Sequence, residues 1–389
     1  MRPSETYWGA ARKGAGGALL IAGINICAPG VIADVKPGLT VEGGLSAASN
    51  PLLVRGSDRG SAIVDAAIKP SMTFTDATGL EVELSSILAM RQYSHRFEDL
   101  THGNVQLTAD WRKNEWISVL ARTRIDREPM VDRLATDIDA SIGSAGVREG
   151  RIGSLSVIWH PDARTRIQPE LTVENGRYPT VTNLRDTDST LLTLHATRRT
   201  SPYTTLGARI GQSWNKVDAA PNSHVLSTYV TLDQRLSTTW LVRTEMGLEH
   251  IRTSTFQLTP SASRTQAAGR IELCHEAQRL TACASGALAS EVSGLGGLQR
   301  RFDMAGSVRW RLTPRLNLGF EGRYQRASQQ RSRLPNLDSA QARLRLDRRV
   351  NRRLTASAVA EYRRREPPDG RALSSTVVGI QLQYEPLPL

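Results

Sequence analysis

Residues 315–325 read Arg-Leu-Asn-Leu-Gly-Phe-Glu-Gly-Arg-Tyr-Gln. Leu316, Leu318, Phe320, Gly322 and Tyr324 fall on one face. Asn317, Gly319, Glu321, Arg323 and Gln325 fall on the other. A change of character at every second residue marks an extended strand whose two sides meet different media. The flanking stretches repeat it. Phe302, Met304, Gly306, Val308, Trp310 and Leu312 alternate with Arg301, Asp303, Ser307, Arg309 and Arg311. Ala340, Ala342, Leu344 and Leu346 alternate with Gln341, Arg343, Arg345 and Asp347, and Leu354, Ala356, Ala358, Ala360 and Tyr362 with Arg353, Thr355, Ser357, Glu361 and Arg363.

Followed along the chain, the same alternation predicts about eighteen strands. They lie near 38–47, 62–75, 79–92, 103–112, 115–125, 151–160, 164–175, 188–199, 203–214, 224–234, 238–250, 264–275, 279–290, 300–312, 315–326, 338–348, 352–363 and 374–385. Most are close to the roughly 9–11 residues a tilted strand needs to cross a bilayer. The connections alternate in length. Those at 113–114, 161–163, 313–314 and 349–351 are short; those at 93–102, 126–150, 176–187, 251–263, 291–299, 327–337 and 364–373 are long. Short turns at one end, long loops at the other and an even strand count describe a bacterial transmembrane barrel. The parity requires 126–150 to be a single loop, although its middle, 134–142, also has the makings of a nineteenth strand.

The aromatics bear on the same reading. Trp111, Trp116, Trp159, Trp240 and Trp310 stand near short turns, and Trp214, Tyr324 and Tyr362 near the opposite strand ends. Two such bands are expected where a barrel meets the two membrane surfaces. Transmembrane helices are excluded, because no run of about 18 apolar residues occurs after the N-terminal segment. The competing fold is a soluble propeller or sandwich. Its packed strand faces would be rich in large aliphatics, whereas here the apolar face is often small, as at Ala282, Ala284 and Gly286.

The first 33 residues read as an export signal. Arg12 and Lys13 precede an apolar, small-residue stretch over 16–28, and Val31, Ile32 and Ala33 offer a cleavage site. The expected organisation is therefore a signal peptide at 1–33 and an outer-membrane β-barrel at 34–389. The net charge of +12 is almost all arginine, with only five lysines. It forms no clustered patch or binding module, so no nucleic-acid partner is expected.

In this register Arg91, Arg112, Arg122, Arg124, Arg166, Arg199, Arg209, Arg243, Arg270, Arg301, Arg309, Arg311, Arg323, Arg343, Arg345, Arg353 and Arg363 point into the lumen. Acids share that face, among them Glu81, Glu83, Asp110, Glu170, Glu245, Glu272, Asp303, Glu321, Asp347 and Glu361. A ring of one charge sign sets the ion preference of a pore, and guanidinium forks match carboxylates and phosphates. The plainer alternative is a ladder of cross-strand Arg–carboxylate pairs that fills the interior. Charge surplus is expected at Arg309, Arg311, Arg343, Arg345 and Arg353. Arg243, Arg270 and Arg323 complete the candidate anion pathway.

Cys274 and Cys283 are equidistant from the turn between their strands and share a face. In an oxidising compartment they can form a disulfide; the alternative is two free thiols. His275 alternates to the other face, so no metal site is expected, and no cofactor. No hydrolase, metalloprotease or phosphate-loop pattern accompanies the seven histidines, so the chain is not expected to be an enzyme.

Val41-Glu-Gly-Gly-Leu45, then Ser49-Asn50-Pro51-Leu52, Lys69-Pro-Ser-Met72 and Arg91-Gln-Tyr93 resemble the β-barrel porin family associated with exopolysaccharide loci in Gram-negative bacteria. The design is also similar to that of alginate exporters. The resemblance implies an outer-membrane barrel serving exopolysaccharide secretion and supplies no catalytic residues; the arginine-rich inner face adds the expectation of a porin-like channel or accessory barrel for an anionic solute. Its implied partners are outer-membrane lipids, the barrel-insertion machinery, an anionic polysaccharide and export components. One departure is the C-terminus, Tyr384-Glu-Pro-Leu-Pro-Leu389, where such barrels commonly end on an aromatic residue. The alternative function is a non-conducting barrel that anchors a surface assembly.

Overall fold

The computed structural model describes residues 34–56, 60–94, 97–254, 261–329, 336–367 and 370–386. The signal peptide expected at 1–33 lies outside them. Eighteen strands form one antiparallel sheet in which each pairs with its sequence neighbour. The strands are β1 (Asp34–Ala48), β2 (Ser61–Thr75), β3 (Leu80–Tyr93), β4 (Leu100–Arg112), β5 (Ile117–Pro129), β6 (Val147–Asp162), β7 (Thr165–Arg177), β8 (Thr187–Ser201), β9 (Thr204–Val217), β10 (Ser223–Arg235), β11 (Trp240–Thr253), β12 (Ala262–Glu276), β13 (Leu280–Ser293), β14 (Gly297–Thr313), β15 (Leu316–Gln329), β16 (Leu337–Arg349), β17 (Leu354–Glu366) and β18 (Leu373–Tyr384). β1 also pairs with β18, from Val41 opposite Tyr384 to Ala48 opposite Val377, which closes the barrel and leaves no sheet edge.

The faces follow the alternation. Leu344, Leu346, Phe320, Met304, Val308, Val378, Ile380 and Leu382 are exposed on the outer wall. Their sequence neighbours carry the inward ion pairs, such as Arg343–Glu361 and Arg345–Asp347. An apolar band that runs around a closed sheet has no water-compatible partner, and hydrocarbon is the medium that accommodates it. Trp111, Trp116, Trp159, Trp240, Trp310 and Tyr384 are exposed at the short-turn rim, and Trp214 and Tyr362 near the other. Leu344 lies mid-wall, so Leu344→Arg is expected to destabilise the barrel by ~2–4 kcal/mol. Equilibrium unfolding from lipid vesicles measures this, with Arg345→Leu as the inward comparison.

Two features differ from the sequence reading. The strands span 12 to 17 residues, mostly extended by two to four residues toward the long loops. There the outer face carries ion pairs: Arg127–Glu149, Arg326–Asp338 and Arg364–Glu366. Beyond the membrane both faces meet water, so alternation fades although the hydrogen-bond ladder continues. For the same reason the long connection expected at 291–299 is a tight turn between Ser293 and Gly297.

The residues at 134–142 form no strand. They lie in a loop between β5 and β6 with two short 3₁₀ turns, Met130–Arg133 and Ile138–Ser141. Val131, Leu134 and Ile138 recur at helical rather than strand spacing, and all are buried.

Candidate functional site

The buried apolar core does not lie along the wall. It sits in the long-loop mouth of the barrel, where Met130, Val131, Leu134 and Ala140 of the β5–β6 loop pack with Leu52, Leu53, Ile63, Tyr93, Tyr178 and Leu184. Burying four such side chains contributes ~1.5–3 kcal/mol for each large one. The loop is therefore a folded element seated inside the mouth.

Polar anchors tie it around much of the circumference. Asp132 accepts from Arg91 of β3 at 2.9 Å and lies 3.3 Å from Arg363 of β17. Gln325 of β15 donates to the Asp137 carbonyl at 3.1 Å, and Ser339 of β16 to the Leu134 carbonyl at 2.8 Å. Arg301 of β14 reaches the Thr136 carbonyl at 3.1 Å. Arg365 of β17 is nearly buried and, among the described residues, donates only to backbone carbonyls: Leu53 at 2.8 Å, Ser141 at 2.8 Å and Ile142 at 3.1 Å. Leu53 is fully buried with φ +53°, a left-handed conformation unfavourable for a side chain of its size. The Asn50 side chain, bonded to both the amide and the carbonyl of Val54, and Arg365 hold that turn in place.

Two loop carboxylates differ in electrostatics. Burial alone would raise Asp132, but Arg91 and Arg363 outweigh it and hold the group below the usual range. Asp139 accepts from the Tyr178 hydroxyl at 2.6 Å, from the Gly294 amide at 2.8 Å and from Ser293. Burial, and after it the neighbouring Asp137, nevertheless push Asp139 up to about 6 from 3.8. A carboxyl that holds its proton more tightly in the packed mouth than in a released loop favours packing below about pH 4. That advantage is lost as the pH rises from about 4 to about 6. Openings of the mouth are therefore expected to be more frequent at about pH 7 than at about pH 4; Asp139→Asn should reduce the difference, and Glu291, which burial pushes up to about 7, sustains the remainder. Single-channel recording at the two pH values measures it. Asp132 acts in the opposite sense, but only below the ordinary carboxylate range.

Beside the loop a cavity of about 330 Å³ remains against the wall that runs from β6 to β14. Arg133, Arg148, Arg209, Glu174, Tyr229 and Glu249 line it. This wall is cross-braced. Arg209 pairs with Glu245 at 2.6 Å and lies over the Tyr229 ring, whose hydroxyl donates to Glu249 at 2.9 Å.

Toward the short turns the lumen widens to a cavity of about 920 Å³, where Arg279, Arg309, Arg311, Arg343, Arg345 and Arg349 meet Glu321 and Asp347. Not all the arginines expected to be in surplus are so. Arg343 clasps Glu361 through Nε at 2.9 Å and Nη2 at 2.7 Å, and Arg345 pairs with Asp347 at 2.6 Å. Both carboxylates stand within one strand or one rung of the arginine, which parity alone did not reveal. Arg243 and Arg270 share Glu272, at 3.6 and 3.9 Å. Arg309, Arg311 and Arg323 form no ion pair among the described residues. Arg353 forms none either, and stands in the β16–β17 turn just before the wall begins at Leu354. Arg279 and Arg349, at strand ends, escaped a reading confined to strand interiors.

The β12–β13 register sets Cys274 opposite Cys283, and a disulfide joins them on the lumen face. His275 lies outside, its ring 4.7 Å from that of Trp240.

A closed, even-stranded antiparallel sheet with an apolar outer belt and a charged interior defines a transmembrane β-barrel of the porin type of architecture. No family model and no curated protein matches the chain. Among solved structures it is similar in chain path to OpdO of Pseudomonas aeruginosa (8% identity, 91% of this chain and 97% of that one, TM-score 0.49). It is likewise similar to OccK1 (OpdK) of the same organism (11%, 91% and 98%, 0.47) and OccAB3 of Acinetobacter baumannii (9%, 90% and 99%, 0.46).

Proposed function

We propose that this chain is an outer-membrane channel for small anionic solutes, narrowed at its mouth by the β5–β6 loop. The observation that carries the reading is the asymmetry of charge pairing in the lumen. Arginines near the loop are consumed by carboxylates, as in Arg91–Asp132, Arg363–Glu361 and Arg301–Glu291. In the wide half Arg343 and Arg345 are paired as well, but Arg309 and Arg311 have no such partner among the described residues. An anion entering that half meets guanidiniums free to bind it, then the cavity beside the loop lined by Arg148 and Arg209. Insertion through the barrel-assembly machinery of the outer membrane accords with the apolar belt, and with both barrel ends lying on the short-turn side. An acidic polysaccharide would need the loop to leave the mouth first, so exopolysaccharide export is a narrower form of the same proposal.

The test is the reversal potential of the purified protein in a planar bilayer under a salt gradient. Anion preference is the expected result, and a cation-selective wild type overturns it. A silent wild type favours the second reading, a non-conducting barrel that anchors a surface assembly. The packed core of the mouth is the observation on that side.

A further inference from the structure

On the outer wall the three alanines of β17, Ala356, Ala358 and Ala360, stand between Arg348, Leu346 and Leu344 of β16 and Leu382, Ile380 and Val378 of β18. The larger flanking side chains leave a groove of about 760 Å³, with Leu346, Ile380 and Leu382 as its sides. Arg315 and Arg348 belong to the same groove, at its short-turn end. Arg348 pairs across the sheet with Leu316, one rung beyond the Leu318–Trp310 pair and hence just outside the aromatic girdle. Neither guanidinium has a carboxylate partner among the described residues.

Two cations at headgroup depth, above a trough one side chain deep, have complementary chemistry in a single molecule. We propose that this groove binds an anionic glycerophospholipid: an acyl chain lies over Ala356 and Ala358, and the phosphate sits against Arg315 and Arg348. The groove is floored by Ala356 and Ala358, and Ala360 carries the row of small side chains onward between Leu344 and Val378, ~13 Å in all at the usual rise per residue. Arginine is suited to the site, because its planar fork grips phosphate oxygens while its stem lies along apolar surface. A zwitterionic lipid satisfies the trough but brings its own cation to the arginines, so anionic headgroups are preferred. The site is on the wall and does not depend on whether the lumen conducts.

The test is native mass spectrometry of the full-length barrel taken from micelles that hold equal phosphatidylglycerol and phosphatidylethanolamine. The wild type is expected to retain phosphatidylglycerol about fivefold over phosphatidylethanolamine. R315Q/R348Q should bring that ratio close to one, and Ala358→Leu, which fills the trough, should lower retention of both lipids. R198Q, which removes an outward arginine on β8, should keep the preference. Heat-modifiable migration verifies that each variant is folded, and conductance recorded in parallel separates this site from the pore. Equal retention of the two lipids by the wild type overturns the proposal. So does a preference that survives R315Q/R348Q, or one lost equally in R198Q.

Discussion

Replacing residues 131–145 with a short glycine-serine turn is expected to raise single-channel conductance several-fold while leaving the barrel folded. The wall does not need the loop. Strand pairing is continuous from β1 to β18, and the β5–β6 ladder runs unbroken from Ile117–Trp159 to Pro129–Val147. The loop does need the mouth, because its apolar side chains, Ile138 among them, are buried only there. A milder intervention tests the same point. Arg365→Ala leaves the Leu53, Ser141 and Ile142 carbonyls without their buried donor. Each such loss costs ~1–3 kcal/mol, enough to raise the open population by one or two orders of magnitude. Conductance that is unchanged in the deletion, with heat-modifiable migration intact, would mean that the loop does not obstruct the lumen.

Charge reversal at Arg309 and Arg311 is expected to turn an anion-preferring channel toward cations. Both lie on the lumen face of β14 and neither is paired with a carboxylate among the described residues, so Arg309→Glu with Arg311→Glu changes the vestibule charge by four units without stranding a partner. The recording belongs at about 0.1 M salt, where the screening length is about 10 Å, rather than at about 1 M, where it is about 3 Å. Reversal at Arg343 is a poorer probe. Its partner Glu361 has only 3% of its side chain exposed, and a second carboxylate beside it would threaten folding before selectivity. A reversal potential that does not move in the double variant would separate the vestibule from the selectivity of the pore.

The barrel was legible because alternation is enforced by two media. Hydrocarbon outside and water inside act on each residue through its face alone, so strand positions, parity, girdles and the inward set of arginines can be read one residue at a time. The opposition of Cys274 and Cys283 was legible on the same terms, since a tight turn determines its own register. Where both faces meet water the signal disappears, and the strand ends were underestimated there.

Tertiary structure decided what depends on distant partners. Whether an arginine is spent or free is a matter of distances to other strands: Arg343 meets Glu361, while Arg309 meets no carboxylate among the described residues. The fate of 130–146 is likewise non-local. Its helical spacing marks it as neither strand nor lipid-facing, but only the assembled mouth supplies the Leu52, Tyr93 and Tyr178 side chains and the Arg365 donors that fold it inward. The sequence by itself determined the closed wall, because each residue answers to the medium on its own side. The opening that wall encloses was settled only when loops far apart in the chain met to bury one another.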